Sequence, residues 1–216
     1  MHVILNASMS LDGKIATKSG ESRISSEVDL KRVHKLRASV DAILVGISTV
    51  IKDDPMLDVR YGAKYTKSPT RVILDSLARI SLHSRILKTA KTINTIIAVT
   101  ERAPKGKIRN IESMDAQVLI TGHKKVNVRA VLKHLEKIGC KRVLVEGGGE
   151  INWSILSQGL ANEMIIMISS MVIGGRSAKT LVEGSGQSHI SDTLKMKLSK
   201  VKRQTRDELV LYYRSA

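Results

Sequence analysis

Short, uninterrupted apolar runs recur along this chain, separated by longer stretches in which apolar residues return every three or four positions. The first kind predicts buried strands and the second amphipathic helices. A first strand is predicted over His2 to Ser8, around Val3, Ile4 and Leu5. The Asp12-Gly13 turn and a polar loop, Thr17 to Ser22, follow it. A helix is predicted from a cap at Ser25 or Ser26 to about Ala38, with Asp29 completing a capping box behind Ser26. Its apolar stripe, Val28, Val33, Leu36 and Val40, is imperfect. Further strands are predicted over Asp41–Gly46, Arg71–Ser76, Thr95–Val99, Gln117–Ile120 and Val143–Val145. A short helix fits Ile47–Lys52, stopped by Asp53-Asp54-Pro55, and residues 56–70 read as irregular. Asn127 to Ile138 keeps a regular helical stripe (Val128, Val131, Leu132, Leu135, Ile138), with Gly139 as its stop. A long strand is predicted over Glu163–Ile173, ending in Gly174-Gly175, and an antiparallel hairpin over Leu194–Val201 and Glu208–Arg214.

This alternation predicts one domain with a mixed, mostly parallel central sheet flanked by helices and edged by the terminal hairpin. Composition makes the core aliphatic. Of 216 residues 42% are hydrophobic, but Phe is absent and Trp153 is the one tryptophan. Cys140 is the one cysteine, which excludes an internal disulfide, a cysteine-based zinc site and the P-C-x-x-C deaminase signature. The six histidines show no metal-binding spacing, so no metal is expected. No stretch reaches the roughly 18 apolar residues of a membrane span, and the expectation is a cytoplasmic protein without a membrane partner. The net charge of +16 attracts polyanions. A nucleic-acid-binding protein is therefore one reading, but the stacking aromatics and recognition modules of such proteins are absent.

The most chemically suggestive stretch is Val143 to Trp153. A buried strand ends in a carboxylate, Glu146, then Gly147, Gly148 and Gly149 lead into a helix opening at Glu150. Glycines at a helix start expose backbone N–H groups at the positive end of the dipole, which suits a pyrophosphate. The plain alternative is a tight turn that binds nothing. Gly174-Gly175 forms a second glycine turn of the same kind, and other strand ends carry Lys14, Thr49 with Asp53, and Asp75-Ser76. No G-x-G-x-x-G follows the first strand, no P-loop is present, and G-x-S-x-G is absent.

Taken in order, SLDGKIA, GESRISS, RVHKLRASVDAILVGISTVIKDDPMLDVR, RVILDS, LVEGGGEINW and IGG resemble one family across essentially the whole chain. It is the riboflavin-pathway pyrimidine reductases: the archaeal 2,5-diamino-6-ribosylamino-4(3H)-pyrimidinone 5′-phosphate reductases and the reductase half of the bacterial bifunctional deaminase–reductase. The resemblance implies a dihydrofolate-reductase-like fold, the stand-alone archaeal form, a homodimer, and NADPH, with NADH accepted by some members. It implies reduction of a ribosylamino to a ribitylamino side chain on a phosphorylated pyrimidine.

Position by position, it implies cofactor contacts from Thr49, Asp53, Ser76, Gly147, Gly148, Gly149 and Glu150, to which the glycine turn adds Gly174 and Gly175. It implies substrate contacts from Lys14, Ser22, Ser25, Arg37, Leu57, Arg60 and Glu146. Lys14, Asp53 and Glu146 are the catalytic candidates. Arg37 and Arg60 suit a phosphate. Arg102 and Lys105 could meet a 2′-phosphate that Glu101 would repel. GESRIS departs from the bacterial GES-x-W-I-T segment at Arg23. A pteridine or dihydrofolate reductase of the same fold is the nearest rival.

Overall fold

The structure is a computed structural model, and it describes residues 1–63, 65 and 67–215. Lys64 and Thr66, within the stretch expected to be irregular, lie outside the described residues. The chain divides into two compact units. One comprises Met1 and His34–Leu144, the other His2–Val33 and everything from Val145 on.

In the first unit the strands β2 (Ala42–Gly46), β3 (Thr70–Leu74), β4 (Thr95–Val99), β5 (Gln117–Ile120) and β6 (Arg142–Val145, up to Leu144 in this unit) lie in the order β5-β4-β3-β2-β6. β2, β3, β4 and β5 pair in parallel, with Leu44 opposite Val72 and Val72 opposite Ile96. Every residue of β2, β3 and β4 is buried. That explains why their sequences read as continuous apolar runs rather than alternating ones. The helices of this unit are α2 (Ile47–Asp53), α3 (Arg85–Lys88), α4 (Lys105–Glu112) and α5 (Val128–Lys137). α5 matches its expected stripe, burying Val128, Val131, Leu132 and Leu135. The Asn127 side chain accepts the Ala130 N–H at its start. At its end Gly139 has φ +92°, and the Cys140 N–H returns to the Leu135 carbonyl at 2.9 Å.

In the second unit β1 (His2–Met9), β7 (Glu163–Ser169), β8 (Met196–Arg203) and β9 (Glu208–Ser215) lie in the order β1-β7-β9-β8. β1 and β7 are parallel, while β9 runs antiparallel to both β7 and β8. α6 (Gly149–Leu156) belongs here, and the chain passes between units within α1 (Glu27–Arg37), after Val33. A bulge between Leu198 and Lys200 shifts the β8 register. Leu198 and Val201, three residues apart, thereby share one face instead of pointing oppositely.

The expected mixed, mostly parallel architecture is the one observed, with four corrections. The strand expected to run to Ile173 stops at Ser169. Beyond it the Met171 carbonyl accepts the Leu11 N–H, and Asp12 takes the N–H groups of Ile173 and Gly174, so these groups are used outside the ladder. α3, α4 and a single 3-10 turn at Ile190–Asp192 were not expected, being short and carrying few apolar positions. Val28 is exposed, because α1 turns Asp29, Val33 and His34 inward; two polar residues on the buried face made the stripe look imperfect. The capping box is half formed. Ser26 Oγ accepts the Asp29 N–H, but the Ser26 N–H goes to Glu208 Oε1.

Candidate functional site

The expected site residues fall in both units. In the second, the turn after β1 carries Lys14. Its N–H donates to Ser10 Oγ, its carbonyl accepts the Ser10 N–H, and it forms an isolated bridge with Thr180. Asp12, in the same turn, accepts from Ser10 Oγ at 2.7 Å and from the Ile173 and Gly174 N–H groups at 3.0 and 2.7 Å. These donors hold its carboxyl at about 2, far below its ordinary value, the Ser10 hydroxyl contributing most. The Gly174 amide, expected to face a cofactor, is thus bound to Asp12. Gly174 and Gly175 both have positive φ, +65° and +82°, as the turn requires.

Ser22 is exposed and its carbonyl accepts the Ile24 N–H. Ser25 sits in an internal network. Its hydroxyl lies 2.8 Å from Ser8 Oγ and 2.7 Å from Asp29 Oδ2. The buried Asp29 also accepts from Arg32 Nε at 2.7 Å and Gln204 Nε2 at 3.1 Å. Burial alone would raise its carboxyl, but the Arg32 charge and these hydrogen bonds outweigh that and hold it below the ordinary value.

β6 delivers the half-buried Glu146 to the glycine turn. Gly147 has φ +79°, and the peptide between Gly147 and Gly148 is cis. Gly148 caps α6 with no side-chain hydrogen bond, and its carbonyl accepts the N–H groups of Ile151 and Asn152. A Cβ on Gly149 would stand 2.8 Å from the Thr180 carbonyl and 2.6 Å from Glu183 Cγ. The missing side chain there therefore admits the chain's own 180–183 segment. At Gly148 the nearest atom to such a Cβ is Ile15 Cδ1 at 3.9 Å, so bare backbone and open space coincide at the helix start. A short uncapped stretch of glycine backbone at a helix N-terminus fits a pyrophosphate. Buried Asn152, which no sequence signal marked, donates to the Leu181 carbonyl at 2.7 Å and fastens the 180–183 segment to α6.

In the first unit Thr49 and Asp53 stand four residues apart on α2, on one helical face. Ser76 follows β3, and its carbonyl accepts the Thr100 N–H and hydroxyl. Leu57 is buried, with φ +49°. Arg37 and Arg60 are brought together by Asp58. Arg37 Nη1 donates to the Asp58 carbonyl at 3.1 Å, and Arg60 Nε pairs with its carboxylate at 3.0 Å. The Arg60 N–H donates to His34 Nδ1 at 2.8 Å. Beneath them Arg71 is fully buried. It donates to the carbonyls of Met56, Ile86 and Ile93 and to the hydroxyls of Thr89 and Thr95. Burial lowers its guanidinium to about 10, with Asp58 opposing, so it stays charged at neutral pH. His34, Asp58 and Arg71 carried no sequence signal as site residues, since apart from the Asp58–Arg60 pair their partners lie 13 to 27 positions away. Glu101, expected to oppose a 2′-phosphate, lies 3.1 Å from His123 Nδ1.

A cavity of about 590 Å³ opens elsewhere in the second unit, lined by Met9, Trp153, Met164, Leu181, Leu211 and Tyr213 among others. It contains none of the expected site residues.

The RibD C-terminal domain family matches residues 1–210. The 2,5-diamino-6-ribosylamino-4(3H)-pyrimidinone 5′-phosphate reductase of Methanothermobacter thermautotrophicus is 42% identical over 98% of this chain and 97% of its own. Among solved structures, RibD of Acinetobacter baumannii superposes over the whole chain with a TM-score of 0.85 at 27% identity, this chain spanning 58% of that one. A dihydrofolate reductase from Enterococcus faecalis, solved with NADP(H), shares the fold. Its TM-score is 0.56 at 10% identity, over 99% of this chain and 96% of its own.

Proposed function

Since this chain belongs to the RibD C-terminal domain family, we propose that it reduces 2,5-diamino-6-ribosylamino-4(3H)-pyrimidinone 5′-phosphate to its ribitylamino form in riboflavin biosynthesis, using NADPH. The observation that carries this reading is the near-complete, 42% identical match to a reductase of that name. The sugar opens to an imine at C1′, and NADPH, when bound, supplies the hydride that this carbon accepts. What the protein's residues contribute is binding, orientation and a proton.

Gly147, Gly148, Gly149 and Glu150 are assigned to the cofactor's pyrophosphate, supported by the uncapped start of α6. Thr49 and Asp53 are assigned to the nicotinamide end, with Ser76, Gly174 and Gly175 as further cofactor contacts. Arg37 and Arg60 are assigned to the substrate phosphate, supported by their shared anchorage on Asp58. Glu146 accepts hydrogen bonds from the pyrimidine's amino and amide groups. Lys14 donates to a carbonyl or sugar oxygen, and Ser22, Ser25 and Leu57 complete the substrate set. The imine nitrogen takes one proton, for which Lys14, Asp53 and an ordered water are the alternative donors.

The assembly we assign is a homodimer. Its support is the apolar face shared by Leu198, Val201 and Leu209, exposed by 54, 53 and 42%. Light scattering of a Val201→Lys variant reads this directly, since a monomer is expected where the parent protein is a dimer.

The activity itself is tested by mixing the protein, NADPH and the ribosylamino substrate and following absorbance in the reduced-nicotinamide band. Substrate-dependent oxidation is expected. None, with fresh cofactor and folded protein, would end the assignment.

A further inference from the structure

The segment from Asp54 to Tyr61 does not hold its own shape. Three of its residues, Asp54, Leu57 and Tyr61, have φ of +37°, +49° and +57°. Such values cost non-glycine residues energy and persist where the surroundings impose them. At Asp54 it is the left-handed C-cap of α2, whose N–H returns to the Val50 carbonyl; beyond it three side chains hold the backbone around Leu57 and Tyr61. Arg71 Nη1 donates to the Met56 carbonyl and Arg37 Nη1 to the Asp58 carbonyl. The third, His34, accepts the N–H of Arg60 itself at 2.8 Å and meets the Tyr61 ring edge-on, with centroids 4.9 Å apart. His34 is 3% exposed. Accepting through Nδ1 requires that nitrogen to be unprotonated, so in the neutral ring the hydrogen sits on Nε2.

We propose that His34 is a positioning residue for substrate binding: it fixes the backbone of Arg60, and through it the guanidinium that takes the substrate's phosphate. This rests on the assignment of Arg60 given above. Arg60 itself is half exposed and long, and pairing its Nε with Asp58 aims the guanidinium only if the backbone beneath is held. A side chain that merely filled space at position 34 would not need an acceptor at the place of Nδ1. Asparagine puts an amide oxygen close to that place, whereas glutamine puts its amide nearer Nε2 and leucine has no acceptor.

The experiment measures KM for the phosphorylated substrate, KM for NADPH, and kcat, in His34→Asn, His34→Gln, His34→Leu, Arg60→Ala and the double variant His34→Leu/Arg60→Ala. Arg60→Ala is expected to raise substrate KM. His34→Leu and His34→Gln are expected to raise it about tenfold, the worth of roughly one hydrogen bond, with kcat and NADPH KM near the parent values. His34→Asn is expected to restore it. The double variant should be no worse than Arg60→Ala alone, because His34 acts through Arg60. Equal KM for the Asn and Gln variants, or additive losses in the double variant, would overturn the proposal. If His34→Leu does not fold, the Asn and Gln pair decides alone. An Arg60→Ala variant with unchanged KM would show instead that the phosphate assignment is wrong, and the proposal falls with it.

Discussion

Asp12 Oδ2 accepts the backbone N–H of Gly174 at 2.7 Å, joining residues 162 positions apart. One carboxylate thereby ties the turn that presents Lys14 to the turn that carries the second glycine pair. The same carboxylate accepts from Ile173, so two consecutive amides converge on it.

This pairing carries a pH signature. The Asp12 carboxyl has a folded pKa of about 2 against an ordinary 3.8, so its stabilising contribution is complete above the ordinary value and is lost as pH falls toward 2. The melting temperature of the parent protein is expected to fall more steeply between those values than that of Asp12→Asn. Parallel curves would show that the carboxylate does not sense folding.

Asp29 and Arg32 form a pair in which the carboxylate is fully buried and the guanidinium largely so. Asp29→Ala leaves the Arg32 charge without its partner and removes the acceptor for Ser25. A loss of about 3 kcal/mol in urea unfolding is expected, the usual cost of breaking a buried pair from one side. Replacing both residues by apolar ones of similar volume should recover much of that loss.

Gly149→Ala would drive a Cβ into the Thr180 carbonyl and Glu183. The 180–183 segment must then move. We expect about 2 kcal/mol of destabilisation and at least tenfold weaker NADPH binding. Trp153, on the next turn of α6 and the only tryptophan, provides the fluorescence that reads the titration.

Glu146→Ala is expected to lose turnover on the ribosylamino substrate while retaining NADPH affinity, measured by the same fluorescence. If cofactor affinity is lost instead, Glu146 belongs to the cofactor side.

Arg71→Met removes a buried cation together with six hydrogen bonds to five residues. The buried carbonyl of Ile86 and the part-buried one of Ile93 would lose this donor. We expect a loss of about 3 kcal/mol or more in unfolding free energy, with Arg71→Lys recovering only part, since an ammonium cannot span the same acceptors.

How much of this was legible beforehand follows from the range of each interaction. The parallel strands were, because an aliphatic run such as Ala42-Ile43-Leu44-Val45 has few places to go but between two covered faces. The α5 boundaries were, because Asn127 and Gly139 act on amides and carbonyls within their own turn. The glycine turn after Glu146 was, because strand, glycines and helix are contiguous. Hydrophobic period, turn chemistry and capping are local, and the amino-acid sequence by itself determined them, along with the aliphatic core and the family.

The tertiary structure decided what depends on partners far along the chain. It stopped β7 at Ser169, because Leu11 and Asp12 claim the groups beyond it. It turned Asp29 from a helix cap into the centre of a network reaching Ser8 and Gln204. It seated Arg71, which reads as an ordinary strand opening, in a buried nest of carbonyls and hydroxyls. It set His34 beneath Arg60. In each case the residue type states which hydrogen bonds must be satisfied, and only the fold supplies the groups that satisfy them.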